Sequence, residues 1–128
     1  MTRFAAITQP LIGIIGLTMV TLGLLFWTGN ALTLIPLHML LGLLLVLILW
    51  SLAVVGAVAG VNPVHVGVTA LWGFLMPVLG LAQGALLPGD AHPVIQVLHL
   101  LVGLAGIALA GSLAARIRRR GDRHGEIG

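Results

Sequence analysis

Charge is almost missing from this chain. Acidic and basic residues fill 7% of its 128 positions, whereas an ordinary soluble domain carries about 25%. Between Arg3 and Asp90 there is no acid or base except histidine, while hydrophobic residues make up 59% of the whole. A soluble fold has no means of hiding so much apolar surface. Cysteine is absent altogether, which excludes a disulfide framework, a thiolate metal site and a C-x-x-C-H attachment for covalent haem. Walker loops, dinucleotide fingerprints, a Ser-His-Asp order and paired intramembrane carboxylates are absent too, so hydrolysis and nucleotide chemistry have no visible apparatus.

The charges that do occur are Arg3, Asp90 and a terminal run of Arg116, Arg118, Arg119, Arg120, Asp122, Arg123 and Glu126. A sequence pI near 11.7 suits a nucleic-acid binder, but these arginines directly follow an apolar stretch and have no aromatic platforms among them. They read as an interfacial anchor that can touch anionic lipid, and no nucleic-acid partner is expected.

A helix needs about 20 apolar residues to cross the hydrocarbon core. Four stretches meet that length, with spans expected at about 10–27, 35–60, 63–87 and 93–115 and a basic cytoplasmic tail over 116–128. They are separated by Thr28-Gly29-Asn30, Gly60-Val61-Asn62-Pro63 and Pro88-Gly89-Asp90-Ala91-His92, all rich in helix breakers and caps. The first span is long for a signal-peptide core and lacks a good small-x-small cleavage site, so it reads as a helix. Arginine lies before the first span and after the fourth, and in none of the loops, which by the positive-inside rule predicts cytoplasmic termini. The expectation is an all-α, transmembrane, up-and-down four-helix bundle in a bacterial inner (cytoplasmic) membrane, in contact with the lipid bilayer.

The outward turn and the helix after it recur. Gly29-Asn30-Ala31 leads to Leu37-His38-Met39-Leu40-Leu41-Gly42, and Gly89-Asp90-Ala91 leads to Leu98-His99-Leu100-Leu101-Val102-Gly103. The offset is 60 in the turn (29 to 89) and 61 at the histidine (38 to 99). Gly23 and Gly84 also match at 61, each fifteen residues before its histidine. Two tandem helical hairpins give parallel repeats about an axis along the membrane normal. In such a bundle helices 2 and 4 are diagonal, so His38 and His99 are expected to face each other.

An ionisable group inside a span is costly and marks a functional candidate. His38 and His99 lie roughly 12 to 14 Å along their helices from Asn30 and Asp90, at a rise of about 1.5 Å per residue. Gly42 and Gly103 share the faces of the histidines, and Gly23 and Gly84 reach a similar depth on helices 1 and 3, so four glycines leave a flat space around two imidazoles. This His-x-x-x-Gly pattern on two parallel helices resembles the bis-histidine haem sites of small four-helix membrane b-type cytochromes. The resemblance implies non-covalent haem b with His38 and His99 as axial ligands, and Gly23, Gly42, Gly84 and Gly103 giving the porphyrin room. It also implies an electron carrier rather than a catalyst, working with a quinone or a redox protein. The larger cytochromes often stack two haems, and here no second site is visible, since His65 has no matching histidine on helix 1.

Other readings use the same residues. The histidines can be interhelical glue beside ordinary small-residue packing points, line a proton-relay or transport path, or hold copper or zinc with Met39 or water nearby. A non-enzymatic accessory subunit packed through glycine-rich faces is a further class. Gln96 shares the face of His99 and suits a haem propionate or a second-shell water, and Gln83 lies at a comparable height. His92 reads as a loop residue and His65 as a residue near the far end of helix 3. Trp50 and Trp72 lie deep in the membrane and need partners for their N–H groups, either between helices or beside a cofactor.

Overall fold

The computed structural model describes the backbone of residues 2–125 and the side chains of residues 3–122. Glu126 and the end of the basic tail lie outside the described residues, as do the side chains of Arg123 and His124. Four helices, α1 (Thr2–Trp27), α2 (Ile35–Val58), α3 (Pro63–Ala82) and α4 (His92–Gly125), form an up-and-down bundle with no strand among the described residues. Each is long and apolar enough to cross a membrane. The α1–α2 and α3–α4 connections share one end, the two-loop end. The α2–α3 connection shares the other with Thr2 and Gly125, the terminal end.

The turns follow from local chemistry. Gly29, Gly60 and Gly89 take φ of 76°, 69° and 79°, the left-handed region that glycine enters without steric cost. After α1, the Asn30 N–H donates to the Leu25 carbonyl at 2.8 Å, and after α2 the Val61 N–H donates to the Gly56 carbonyl at 2.9 Å. Both are the six-to-one bond of a Schellman ending. The Asn62 side chain then caps α3 by accepting from Val64 N–H at 2.9 Å, with Pro63 opening the helix. Short 3₁₀ turns, Leu32–Leu34 and Gly89–Ala91, lead into α2 and α4. The related sequences thus enter their helices at different points: Gly89–Ala91 is itself the 3₁₀ turn before α4, whereas Gly29-Asn30-Ala31 precedes the one before α2.

In lipid the apolar effect does not drive helices together, so close packing must do it. α1 and α3 each lie against both α2 and α4, α2 and α4 also touch across the diagonal, and α1 and α3 do not meet. Leu45, Leu49, Leu52, Leu113 and Ile117 are sealed in the centre and the terminal half, with Ala5, Ala110 and Ala114 letting backbones approach. Outward faces carry Leu17, Leu47, Val58, Leu71 and Leu81, large apolar side chains that suit lipid.

Two helices run further than the expected spans. α1 starts at Thr2 and passes through Pro10 instead of beginning there. Ala5 and Thr8 are buried, and the Thr8 hydroxyl donates to the Phe4 carbonyl at 3.0 Å, so packing and local bonding offset the bond that proline removes. α4 continues past Ala115 through the arginines to Gly125. Arginine is a good helix former, and cations near a helix C-terminus meet the negative end of its dipole. Arg118 ties these extensions together by donating to the Gln9 side-chain oxygen at 2.5 Å. α3 is shorter than expected, giving way after Ala82 to a 3₁₀ turn over Gln83–Ala85.

Candidate functional site

Polar side chains buried within an apolar bundle must find partners, and most of these do. The hydroxyls of Thr18, Thr21 and Thr69 donate to carbonyls four residues back, at 2.9, 2.8 and 2.8 Å. Trp50 Nε1 donates to the Ala70 carbonyl at 3.2 Å and Trp72 Nε1 to the Val102 carbonyl at 2.9 Å. The two indoles therefore bridge α2 to α3 and α3 to α4. Among the described residues, the buried side-chain polar atoms left without a hydrogen bond are two: Nδ1 of His38 and Nδ1 of His99. An unsatisfied buried group costs about 1–3 kcal/mol, so both histidines carry a penalty that the bare fold does not relieve.

The structure brings this pair together. Their ring centroids are 6.3 Å apart with planes inclined at 46°. His38 lies one turn into α2 and His99 two turns into α4, and the α2–α4 diagonal contact closes the distance between them. Phe26 of α1 meets His38 edge-on, with centroids 5.5 Å apart. Two imidazoles bonded to one metal from opposite sides, with metal–nitrogen bonds of about 2.0–2.1 Å, put their centroids about 6.4 Å apart. The observed spacing has the right size for a shared metal atom.

The glycines divide. A Cβ at Gly23 would stand 3.9 Å from the Cε1 of His38, so Gly23 backs that imidazole from α1. Gly42 is covered by the Met19 methyl, 3.3 Å from such a Cβ. Gly84 and Gly103 have open space, with nothing within 4 Å. The glycine that meets His99 is Gly80, whose Cβ would lie 3.4 Å from the His99 Cε1. Sequence reasoning missed Gly80 and Phe26. Gly80 stands four residues before Gly84 in the sequence, which was the available signal; Phe26 had none, because its counterpart in the second repeat is Leu87.

Gln96 is half-buried on α4, and Gln83 ends α3. His92 stays with its loop, its Nδ1 3.3 Å from the Leu86 carbonyl. His65 lies in the first turn of α3 at the opposite end of the bundle. Met39 is 55% exposed on the outward face, one residue and so about 100° round the helix from His38. Among the described residues no group of three or more histidine, cysteine or acidic side chains could hold a metal ion. Zinc held by protein takes three or four ligands, and the pair supplies two. Toward the terminal end the bundle closes over Leu45, Leu49, Leu52 and Leu113. Compared with protein-family models, curated proteins and solved structures, the chain matches none of them.

Proposed function

We propose that this chain is a b-type haem protein of a bacterial inner membrane, with both termini cytoplasmic, and that it carries electrons. His38 and His99 would hold one non-covalent haem b through their imidazoles. The observation that carries this reading is the convergence of two imidazoles to 6.3 Å, each with a buried nitrogen lacking any partner. Ligation by both histidines supplies what the apolar surroundings do not, a strong bond for a ring nitrogen. The haem iron, when bound, supplies a one-electron couple whose potential is set by ligands, burial and hydrogen bonding. Were both histidines to bind the iron, they would leave it no position for a substrate, which favours electron transfer over catalysis at the metal. A quinone in the lipid or a redox protein is the partner this role needs.

The residues around the pair have separate tasks. Gly23 and Gly80 allow the neighbouring helices to approach the imidazoles closely, Phe26 braces His38 from the side, and the open faces at Gly84 and Gly103 leave room for a planar group. Gln96, three residues before His99 on α4, is available to hydrogen-bond a propionate.

The test is an absorption spectrum of detergent-purified protein expressed with excess haem. Wild type should show a low-spin spectrum with sharp bands on reduction. His38→Ala and His99→Ala should each lose haem or convert it to a high-spin form that binds carbon monoxide, while His65→Ala and His92→Ala should keep the original spectrum. Colourless wild-type protein, or retention of the low-spin spectrum by both alanine variants, overturns the assignment. Cysteines placed at Asn30 and Asp90 should react with impermeant reagent from outside the cell. Labelling from inside reverses the orientation.

A further inference from the structure

A second polar feature lies at the terminal end, far from the histidines. A cleft of about 400 Å³ opens between the α2–α3 loop and α4, lined by Val61, Asn62, Ser112, Arg116, Arg119 and Arg120. Ser112, Arg116, Arg119 and Arg120 follow one helix face at spacings of three and four residues. Neither Arg116 nor Arg119 makes a hydrogen bond or ion pair among the described residues. Arg120 reaches over the loop, its Nη1 3.1 Å from where a Cβ of Gly60 would stand. The loop backbone therefore passes beneath a guanidinium, at a glycine whose φ of 69° disfavours other residues. Across the cleft, Asn62 and Pro63 open α3, whose positive dipole end adds to the field. The nearest described acid, Asp122, is three residues beyond Arg119 and does not line the cleft.

We propose that this cleft binds the phosphodiester of an anionic phospholipid such as phosphatidylglycerol. Guanidinium groups recognise phosphate with paired hydrogen bonds, and among the described residues Arg116 and Arg119 have their donors unengaged. The height is right for a lipid: from Ser112 to Arg119 the helix rises about 10 Å, comparable to a headgroup layer of about 5–8 Å on each side of the hydrocarbon core. Below the cleft, Gly111 has nothing within 4 Å of a notional Cβ and Ala108 is exposed, so α4 offers a shallow apolar track on which an acyl chain can lie. A free phosphate has no use for that track.

The experiment titrates the full-length protein in neutral detergent with dioctanoyl-phosphatidylglycerol, dioctanoyl-phosphatidylcholine or inorganic phosphate, following thermal unfolding by tryptophan fluorescence. Phosphatidylglycerol should raise the melting temperature saturably, and the other two should not. Arg116→Gln and Arg119→Gln should each weaken the half-saturation point about tenfold, the loss of one charge-assisted contact. Lysine at either position should recover only part of it. Arg118→Gln is the control, since it removes the same charge from a guanidinium directed at Gln9. The proposal fails if Arg118→Gln weakens binding as much as Arg119→Gln, if phosphatidylcholine or inorganic phosphate produces the same shift, or if no saturable shift appears. Melting of each variant without lipid separates lost binding from lost folding.

Discussion

The two halves of this bundle are built on opposite plans. In the centre and terminal half, Leu45, Leu49, Leu52, Leu113, Ala110 and Ala114 are fully buried. Toward the two-loop end the best-covered side chains, Leu22, Ile95 and Val102, retain 6%, 7% and 8% of their exposure, and the first ten residues of α2 include no buried side chain. Among the described residues the closed half leaves no buried side-chain polar atom unbonded; the open half contains both orphaned imidazole nitrogens. Helices in lipid are held by contact, so the closed half supplies the adhesion, and the open half is free to be shaped around something else. Tight packing and unbonded polar atoms are thus divided along the bundle axis, and substitutions on either side of the midline should behave differently.

The sharpest contrast is a cavity. Leu49→Ala removes a fully buried side chain with neighbours on every side, and should cost about 2–4 kcal/mol in reversible denaturation of the detergent-solubilised protein. Leu40→Ala, on an outward face of the open half, should change little. Equal losses at the two sites would erase the distinction between the halves.

Next comes overpacking. A Cβ at Gly106 would collide with the sulfur of Met76, so Gly106→Ala should cost about 1–3 kcal/mol, read from the same denaturation curves. If Gly106→Ala is neutral, α3 and α4 are less tightly engaged at this level than their contact implies.

The histidines should reverse the sign. In protein free of haem, changing both His38 and His99 to leucine removes two unsatisfied polar groups and should stabilise the bundle by about 1–3 kcal/mol, while abolishing haem uptake. A destabilised double variant means the histidines serve as structural glue, contrary to the open-half account.

The smallest effect lies three residues from Gly106. Gly103 faces open space, so Gly103→Ala should gain about 0.5–1 kcal/mol from helix propensity alone. Gly103→Leu should still insert in the membrane but take up less haem, measured as the ratio of Soret to protein absorbance. Full haem content in that variant removes Gly103 from the site.

Much of this architecture was legible in the residues. Four apolar stretches, broken at Gly29, Gly60 and Gly89, define four helices, because in lipid every backbone N–H and C=O must be satisfied within the segment. The recurrence of the turn and the Leu-His pair predicted that His38 and His99 would meet, and their rings lie 6.3 Å apart. The early start of α1 was hidden by Pro10, a local helix breaker whose cost is met by distant contacts with α4. The choice between Gly80 and Gly84 was hidden as well, since the two are four residues apart in the sequence and α3 gives way to a 3₁₀ turn between them.

What the sequence determined by itself is therefore what depends on solvent and on backbone chemistry: helical spans, their number, their turns and the depth of each polar group. Composition and local bonding decide these whatever the neighbours do. What only the tertiary structure decided is which side chains meet across helices. The closeness of α2 and α4, the gap between α1 and α3, Met19 over Gly42, Phe26 against His38 and the arginine cleft beside the α2–α3 loop all depend on helix rotation and crossing. A shift of one turn, about 5.4 Å along the axis, exchanges one glycine for another while leaving the hydrophobic pattern unchanged.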